Sequence, residues 1–366
     1  MIIAKIETFP LRIPFKADTR SAASAWGDKN LPVADSLLVK VTTDEGLEGW
    51  GEAFGFRAVR SAQLAVDELI APICVGHDAT QIAPLMLEVQ KKLHIFGRTG
   101  PLFYGISAVD IALWDIAGKA ANVPVFRLLG GGVSELDCYA SLIRCSDPAL
   151  IRANVRQALD AGFHSLKLHE IEIPSIRAVR EEAGANVELT LDVNCAWTLH
   201  EAKTIAQELR EFRLKWLEEP IWPPENYAGL AELRRTGGVP IAAGENVSTL
   251  IEFDRLMGAS AVDFVQPSVA KMGGISELCK VFPLAAVRNV TLMPHVFYDG
   301  PGLLAAIQVA AALGTSDVMI EWRGFNLEAQ IYGGVLSPQE GRIQVPQGPG
   351  LGIDPDPYVV RTYLRT

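Results

Sequence analysis

Between about residue 130 and residue 323 the chain alternates between two patterns eight times, and no other feature limits its possible folds as much. Short strand-like runs open at 137–144 ("DCYASLIR"), 164–170 ("HSLKLHE"), 186–194 ("NVELTLDVN") and 214–220 ("LKWLEEP"). They continue at 239–246 ("VPIAAGEN"), 261–268 ("AVDFVQPS"), 290–296 ("VTLMPHV") and 317–323 ("DVMIEWR"). Between them lie segments with apolar residues at three-to-four spacing, such as 149–162 and 198–212, several ending at Gly. Eight strands alternating with helices predict an α/β chain closed into a TIM-like (β/α) barrel. A doubly wound open sheet is the alternative, but it usually has fewer units, and no GxGxxG follows the first strand.

Residues 1–130 read differently. Strand-like runs at 1–15 and 36–43 flank a polar loop, and "TTDEGLEGWGEAF" reads as a hairpin turning on Asp44-Glu45-Gly46. Helix-like stretches follow at 58–70, 82–92 and 104–121, and 128–132 ("LLGGG") reads as a linker. From about 335 the tail is rich in Gly and Pro and returns to no strand–helix pattern. The expected organisation is an α+β capping domain over 1–130, a barrel over 131–334, and a tail, 335–366, packing back on the cap. With 366 residues, 49% of them hydrophobic, the chain has material for a large core.

Composition narrows the partners. A formal charge of -10 argues against nucleic acid and anionic membranes. The five cysteines (Cys74, Cys138, Cys145, Cys195, Cys279) are scattered with no CxxC spacing, as expected of reduced thiols rather than of a disulfide or zinc framework. The opening residues alternate like a strand and lack a signal-peptide layout. The most apolar stretch, 302–314, is too short to span a bilayer. A cytoplasmic protein is expected.

In such barrels chemistry gathers at the C-terminal ends of the strands. The second strand is peculiar there. Leu166 and Leu168 point one way, and Lys167 and His169 point the other, an amine and an imidazole that are costly to bury without a purpose. The third strand ends in Asp192 and Asn194, the fourth in Glu218 and Glu219, the fifth in Glu245 and Asn246, the seventh in His295 and the eighth in Glu321. Asp192, Glu218 and Glu245, one strand–helix unit apart, should converge on one side of the mouth. Three convergent carboxylates repel one another unless a hard cation joins them, and oxygen donors with water positions to spare suit Mg²⁺. A carboxylate substrate chelated there has an acidified α-carbon, and Lys167 or His169 could take the proton from one face with His295 on the other.

Together these residues resemble the enolase superfamily, and within it the mandelate racemase subgroup (mandelate racemase/muconate lactonizing enzyme family). The likeness runs along most of the chain: "GWGE" (49–52), "SAVDIALWDIAGKAANVPVFRLLGG" (107–131), "LDVNCAWT" (191–198), "WLEEP" (216–220), "AAGEN" (242–246), "KMGGISE" (271–277), "MPHV" (293–296) and "PGLGI" (349–353). It implies a modified (β/α)7β barrel under an N-terminal cap, with Asp192, Glu218 and Glu245 as Mg²⁺ ligands and His295 as an acid/base. Glu321 would hydrogen-bond the substrate, and Asn194 is a second candidate for substrate binding. Two positions depart from the family pattern. The usual Lys-x-Lys of the second strand is Lys167-Leu168-His169, and Ser268 stands where an Asp usually pairs with the seventh-strand His. A serine cannot stabilise an imidazolium as a carboxylate does, which weakens the transfer of racemase chemistry, for which two balanced bases are needed.

The leading expectation is therefore Mg²⁺-dependent dehydration of a sugar acid through an enediolate, giving a 2-keto-3-deoxy acid. Cycloisomerisation of a sugar-acid lactone or anhydro-sugar acid is the alternative, with racemisation or epimerisation of a 2-hydroxy acid third. A metal-binding scaffold without catalysis is the reading from another class. Specificity is expected from the first domain, with Arg20, Lys29, Arg57 and Arg98 as candidates for a distal carboxylate. A homo-oligomer between dimer and octamer is expected.

Overall fold

The structure, a computed structural model, describes residues 1–14, 33–145, 147–323 and 327–365. Three antiparallel strands open the chain: β1 (Ile3–Pro14), β2 (Val33–Thr43) and β3 (Glu48–Ala53), with the β2–β3 connection at the expected Asp44-Glu45-Gly46 turn. A 21-residue helix, Pro101–Ala121, lies across β3. Pro101 starts it without losing a hydrogen bond, and Asn122 stops it in the left-handed region at φ 54°. The helix is buried on most of its faces because strand and barrel cover it from both sides. Its close approach to β3 explains the "GWGE" motif: a Cβ on Gly49 or Gly51 would stand 2.2 Å from the Ala112 oxygen or 1.8 Å from the Ala108 oxygen.

Eight parallel strands follow: β4 (Glu135–Ser141), β5 (Ser165–Leu168), β6 (Glu188–Asp192), β7 (Trp216–Glu218), β8 (Ile241–Ala243), β9 (Phe264–Val265), β10 (Thr291–Leu292) and β11 (Met319–Trp322). Their ladder runs β11–β4–β5–β6–β7–β8–β9–β10, with a helix after each of the first seven. This is a (β/α)7β barrel. The helices show the stop and start chemistry that the sequence carries. Thr198 with Glu201, and Thr249 with Glu252, form capping boxes, and Asp147 accepts from Ala149 and Leu150 ahead of Pro148.

Strand alternation divides the core in two. Leu166, Leu168, Leu189 and Leu191 face outward into the layer between strands and helices. Tyr139, Trp216, Ala242, Met293 and Met319 face inward and plug the barrel as a separate cluster. Along β5 the next inward residue above Ser165 is Lys167, so the charged residues begin where the plug ends.

The tail differs from the sequence reading at one point. Residues 342–344 form a further strand, β12 (Arg342–Gln344), antiparallel to β4 at the barrel edge. Three residues are too few to show a period against Gly-rich flanks, so nothing in the sequence marked it. Beyond it the tail reaches the cap: Gly350 accepts from the Val125 N–H, Leu351 donates to Asp115 at 2.8 Å, and Leu364 bridges to Leu11. No helix among the described residues is long and apolar enough to cross a membrane.

Candidate functional site

The residues singled out at the strand ends come together at one mouth. Carboxylate oxygens of Asp192, Glu218 and Glu245 lie within 4.8 Å of one another, and all three residues are buried. Register sets the first two, since Asp192 pairs with Glu218 on the next strand; Glu218 pairs with Ala242 in turn, and Glu245 follows two residues past the end of β8. Glu219, the neighbour in sequence, turns away at φ 42°, and its carboxylate accepts from Asn246 Nδ2 at 3.0 Å.

Lys167 sits beneath the acids, fully buried. Its Nζ is 2.7 Å from Glu218, 3.0 Å from Asp192 and 3.3 Å from Glu321. Burial pushes its pKa down, but the three carboxylates outweigh burial and hold it well above the ordinary lysine value. His169 stands higher on the same strand. Its Nδ1 is 2.7 Å from the Leu142 carbonyl, a contact that needs the proton on Nδ1, and its Nε2 is 3.5 Å from Asp192. Burial lowers its pKa, and the Asp192 carboxylate more than restores it.

Across the mouth, His295 Nε2 is 2.9 Å from Glu245, while the buried His295 Nδ1 has no hydrogen-bond partner among the described residues. β9 and β10 are shorter than the sequence suggested, so Ser268 and His295 stand on loops just past the ladder. The Ser268 hydroxyl, fully buried, meets the Tyr298 hydroxyl at 3.3 Å rather than the imidazole. Glu321 accepts from Ser141 Oγ at 2.8 Å and from the Val296 N–H at 3.0 Å. Asn194, at φ 46°, donates its N–H to Asp192, and its buried side-chain oxygen has no hydrogen bond among the described residues.

The electrostatics divide the acids. Burial raises every one of them. At Asp192 the Lys167 and His169 charges outweigh burial, and at Glu245 those of His295 and Lys271 do so, holding both well below the usual carboxylate range. Glu218 is pushed up to about 7 even with Lys167 at 2.7 Å, because burial and its acidic neighbours Asp192 and Glu321 win. This set, three buried oxygens with no sulfur or nitrogen donor, fits a hard divalent cation. A second cation would relieve the charge that Lys167 alone leaves on Glu218.

Several groups around the acids were not anticipated. Gln266 Nε2 donates to Glu218 at 2.7 Å, and Trp216 Nε1 donates to the same carboxylate at 3.0 Å. Lys271 Nζ is 3.6 Å from Glu245 and 3.0 Å from Asn246 Oδ1. Trp216, Gln266 and Ser141 each lie two residues from an inward-facing position, so period-two counting would have found them. Of the specificity candidates, Arg57 is exposed in the turn after β3, and Arg98 bonds Gln90 and lies over Phe103 on the cap surface. Arg20 and Lys29 lie outside the described residues.

Residues 29–130 match the family model for the mandelate racemase / muconate lactonizing enzyme N-terminal domain, and residues 150–359 match the enolase C-terminal domain-like model. Arabinonate dehydratase of Saccharolobus solfataricus is 31% identical over 361 residues, 96% of either chain. D-galactarolactone cycloisomerase of Agrobacterium fabrum is 32% identical over 340 residues, 87% of this chain and 88% of that one. A racemase from Streptomyces coelicolor A3(2), solved with bound magnesium, superposes with a TM-score of 0.89 at 27% identity, covering 99% of this chain and 100% of its own. By its sequence, its capped barrel and the acids at its mouth, the chain belongs to the enolase superfamily, in the mandelate racemase / muconate lactonizing enzyme family.

Proposed function

We propose that the protein is an Mg²⁺-dependent sugar-acid dehydratase, with Asp192, Glu218 and Glu245 holding the ion. The observation that carries the proposal is the disposition of groups around those acids: a lysine fixed beneath them, and one imidazole on either side. Bound there, Mg²⁺ would supply positive charge for the substrate carboxylate as its α-proton leaves.

Lys167, saturated by three carboxylates, is held protonated and serves as a fixed charge. The base is then His169, whose Nδ1–H is committed to the Leu142 carbonyl, so that in the neutral ring Nε2, 3.5 Å from Asp192, is the nitrogen that takes the α-proton. Electrons released from the α-C–H bond form the C=C bond of an enediolate; as it collapses back to the carboxylate, those electrons form the Cα=Cβ bond of an enol and the β-C–O bond breaks. His295 delivers a proton so that the hydroxyl departs as water, and the enol tautomerises to a 2-keto-3-deoxy acid. Glu321, fixed by Ser141 and Val296, and Asn194, with its unpartnered oxygen, are placed to orient substrate oxygens.

Cycloisomerisation shares the first step and differs in the leaving group, a ring oxygen, and one named relative is a cycloisomerase. The two are separated by incubating the protein and Mg²⁺ with a library of mono- and diacid sugars and their lactones. Dehydration gives a product lighter by one water with a 2-keto signal. Cycloisomerisation gives an isomer of unchanged mass. Absence of product and of α-deuterium exchange in D₂O across the library would sink both readings.

A further inference from the structure

His295 is held differently from the groups opposite it. Lys167 has three carboxylate partners and His169 has a partner on each ring nitrogen, whereas the His295 ring has Glu245 on Nε2 and no hydrogen bond on Nδ1. Ser268, the sixth-strand residue nearest in the pattern, gives its hydrogen bond to Tyr298. What then fixes the ring?

Two contacts from the first domain converge on its loop. Glu52, at the end of the "GWGE" motif, is fully buried in the seam between cap and barrel. Its Oε2 accepts from the Gly300 N–H at 2.9 Å and the Gly302 N–H at 3.0 Å, the first turn of the helix Pro301–Leu313, while Oε1 meets the Ser36 hydroxyl. A carboxylate there satisfies donors that the helix start leaves over. The fit leaves no room for side chains: a Cβ on Gly300 would stand 2.8 Å from Glu52 Oε2, and on Gly302 3.1 Å from it. The loop so fastened, 293–300, carries His295 five residues upstream. Its Tyr298 hydroxyl returns a hydrogen bond to the His295 carbonyl at 3.0 Å. The second contact is aromatic. Phe56, just past β3, meets Phe297 edge-on at 5.9 Å, and Phe297 lies nearly parallel to the His295 ring at 6.5 Å and 21°. Arg323, paired with Asp299 at 2.6 Å, covers the Phe297 ring at 4.1 Å.

We propose that Glu52 and Phe56 are positioning residues for His295, so that docking of the cap, rather than a sixth-strand carboxylate, sets the imidazole against the substrate. Glu52 acts on the backbone of the loop, and Phe56 acts on the ring through Phe297. Neither touches the reacting atoms. The role of His295 itself rests on the function proposed above, and the test separates the two.

In the full chain, Glu52→Ala, Glu52→Gln and Phe56→Leu are made and their folding checked by circular dichroism. The first reading is the rate at which diethyl pyrocarbonate modifies His295, followed by peptide mass, with the half-exposed His77 as internal control. The second is kcat and KM on whichever sugar acid of the library is turned over. Glu52→Ala and Phe56→Leu should expose His295 to the reagent several-fold faster. They should lower kcat by about ten- to a hundredfold, the usual penalty for a catalytic group displaced by about 1 Å, with little change in KM. Glu52→Gln, which keeps an acceptor for both glycine N–H groups, should stay near wild type. Unchanged His295 reactivity in folded Glu52→Ala and Phe56→Leu overturns the proposal, even if no sugar acid is ever turned over. Should Glu52→Ala not fold, Phe56→Leu alone decides.

Discussion

Two groups of acids are buried in this molecule, one at the barrel mouth and one along the seam between cap and barrel, and they keep different company. Asp192, Glu245 and Glu321 face cationic groups, Lys167, His295 and Lys271, and sit below the usual carboxylate range despite burial. Glu52 and Asp110 face backbone donors instead. Asp110 accepts from the Ser276 N–H at 3.0 Å at the start of the helix Ile275–Val287, as Glu52 does at the start of Pro301–Leu313. Burial pushes both of these up to about 7. A nearby cation favours the ionised acid and so readies it for a metal, although at Glu218, pushed up to about 7, burial and the acids beside it outweigh Lys167. A backbone N–H bonds a carboxylate or a neutral carboxyl alike, so the seam acids work as fastenings whose charge matters little. Asp115 is intermediate, bonded to the Trp50 and Leu351 N–H groups and to Lys119 at 2.8 Å.

The comparison breaks first at the mouth if charge is not what matters there. Glu245→Gln keeps the size and one oxygen but removes the charge. It should lower kcat/KM by at least about 10²–10³-fold, the scale of losing one preorganised electrostatic contact in an active site. Treating the wild-type protein with EDTA should abolish turnover, and Mg²⁺ should restore it. Full activity after the metal has been stripped, checked by elemental analysis, would refute the metal assignment.

Next in size is Lys167→Met. Removing the cation that Asp192, Glu218 and Glu321 share leaves buried acids uncompensated, which costs about 3–5 kcal/mol. Urea unfolding in EDTA should show that loss, and Mg²⁺ should recover part of it by supplying charge to the same carboxylates. A variant as stable as wild type in EDTA would mean that Lys167 does not neutralise the cluster, and His169 would lose its claim to be the base.

How much of this was written in the sequence follows from the same contrast. The mouth was legible in part because strand alternation carries side chains inward at every second residue, which places Lys167, Asp192 and Glu218, whereas Glu245 lies three residues past the inward Ala242 and reaches the mouth only because the chain leaves β8 at Gly244, φ 138°. The barrel strands and the hairpin at Asp44-Glu45-Gly46 were legible for the same reason, that each is a local pattern. The seam was not. Glu52 lies 248 residues from Gly300, and nothing in "GWGE" says which helix start its carboxylate will meet. Nor could spacing show that Ser268 bonds Tyr298 instead of His295, because that choice is made by a loop just past the end of the ladder. β12 was hidden too, since its order comes from pairing with β4.

The smallest expected effect tests the seam and has a definite sign. Glu52 has a folded-state pKa of about 7 against an ordinary value of 4.5, with burial as the main cause. The native protein therefore holds a proton there at pH values where the unfolded chain has released it. For a carboxyl raised in this way, stability is greatest below the unfolded pKa and falls as pH rises through the folded one. Glu52→Gln has no such proton, and its amide can serve both glycine N–H groups and Ser36. Urea unfolding of the two proteins in EDTA, stepped from pH 5 to pH 8, should show wild type losing roughly 2–3 kcal/mol relative to the variant, because each tenfold change in proton affinity is worth about 1.4 kcal/mol. The mouth acids and Asp110 are common to both proteins and cancel in the difference. Parallel curves would mean that Glu52 is ionised in the folded protein at every pH tested. The seam would then hold its acids as the mouth does, by charge, and the distinction between the two regions would fail.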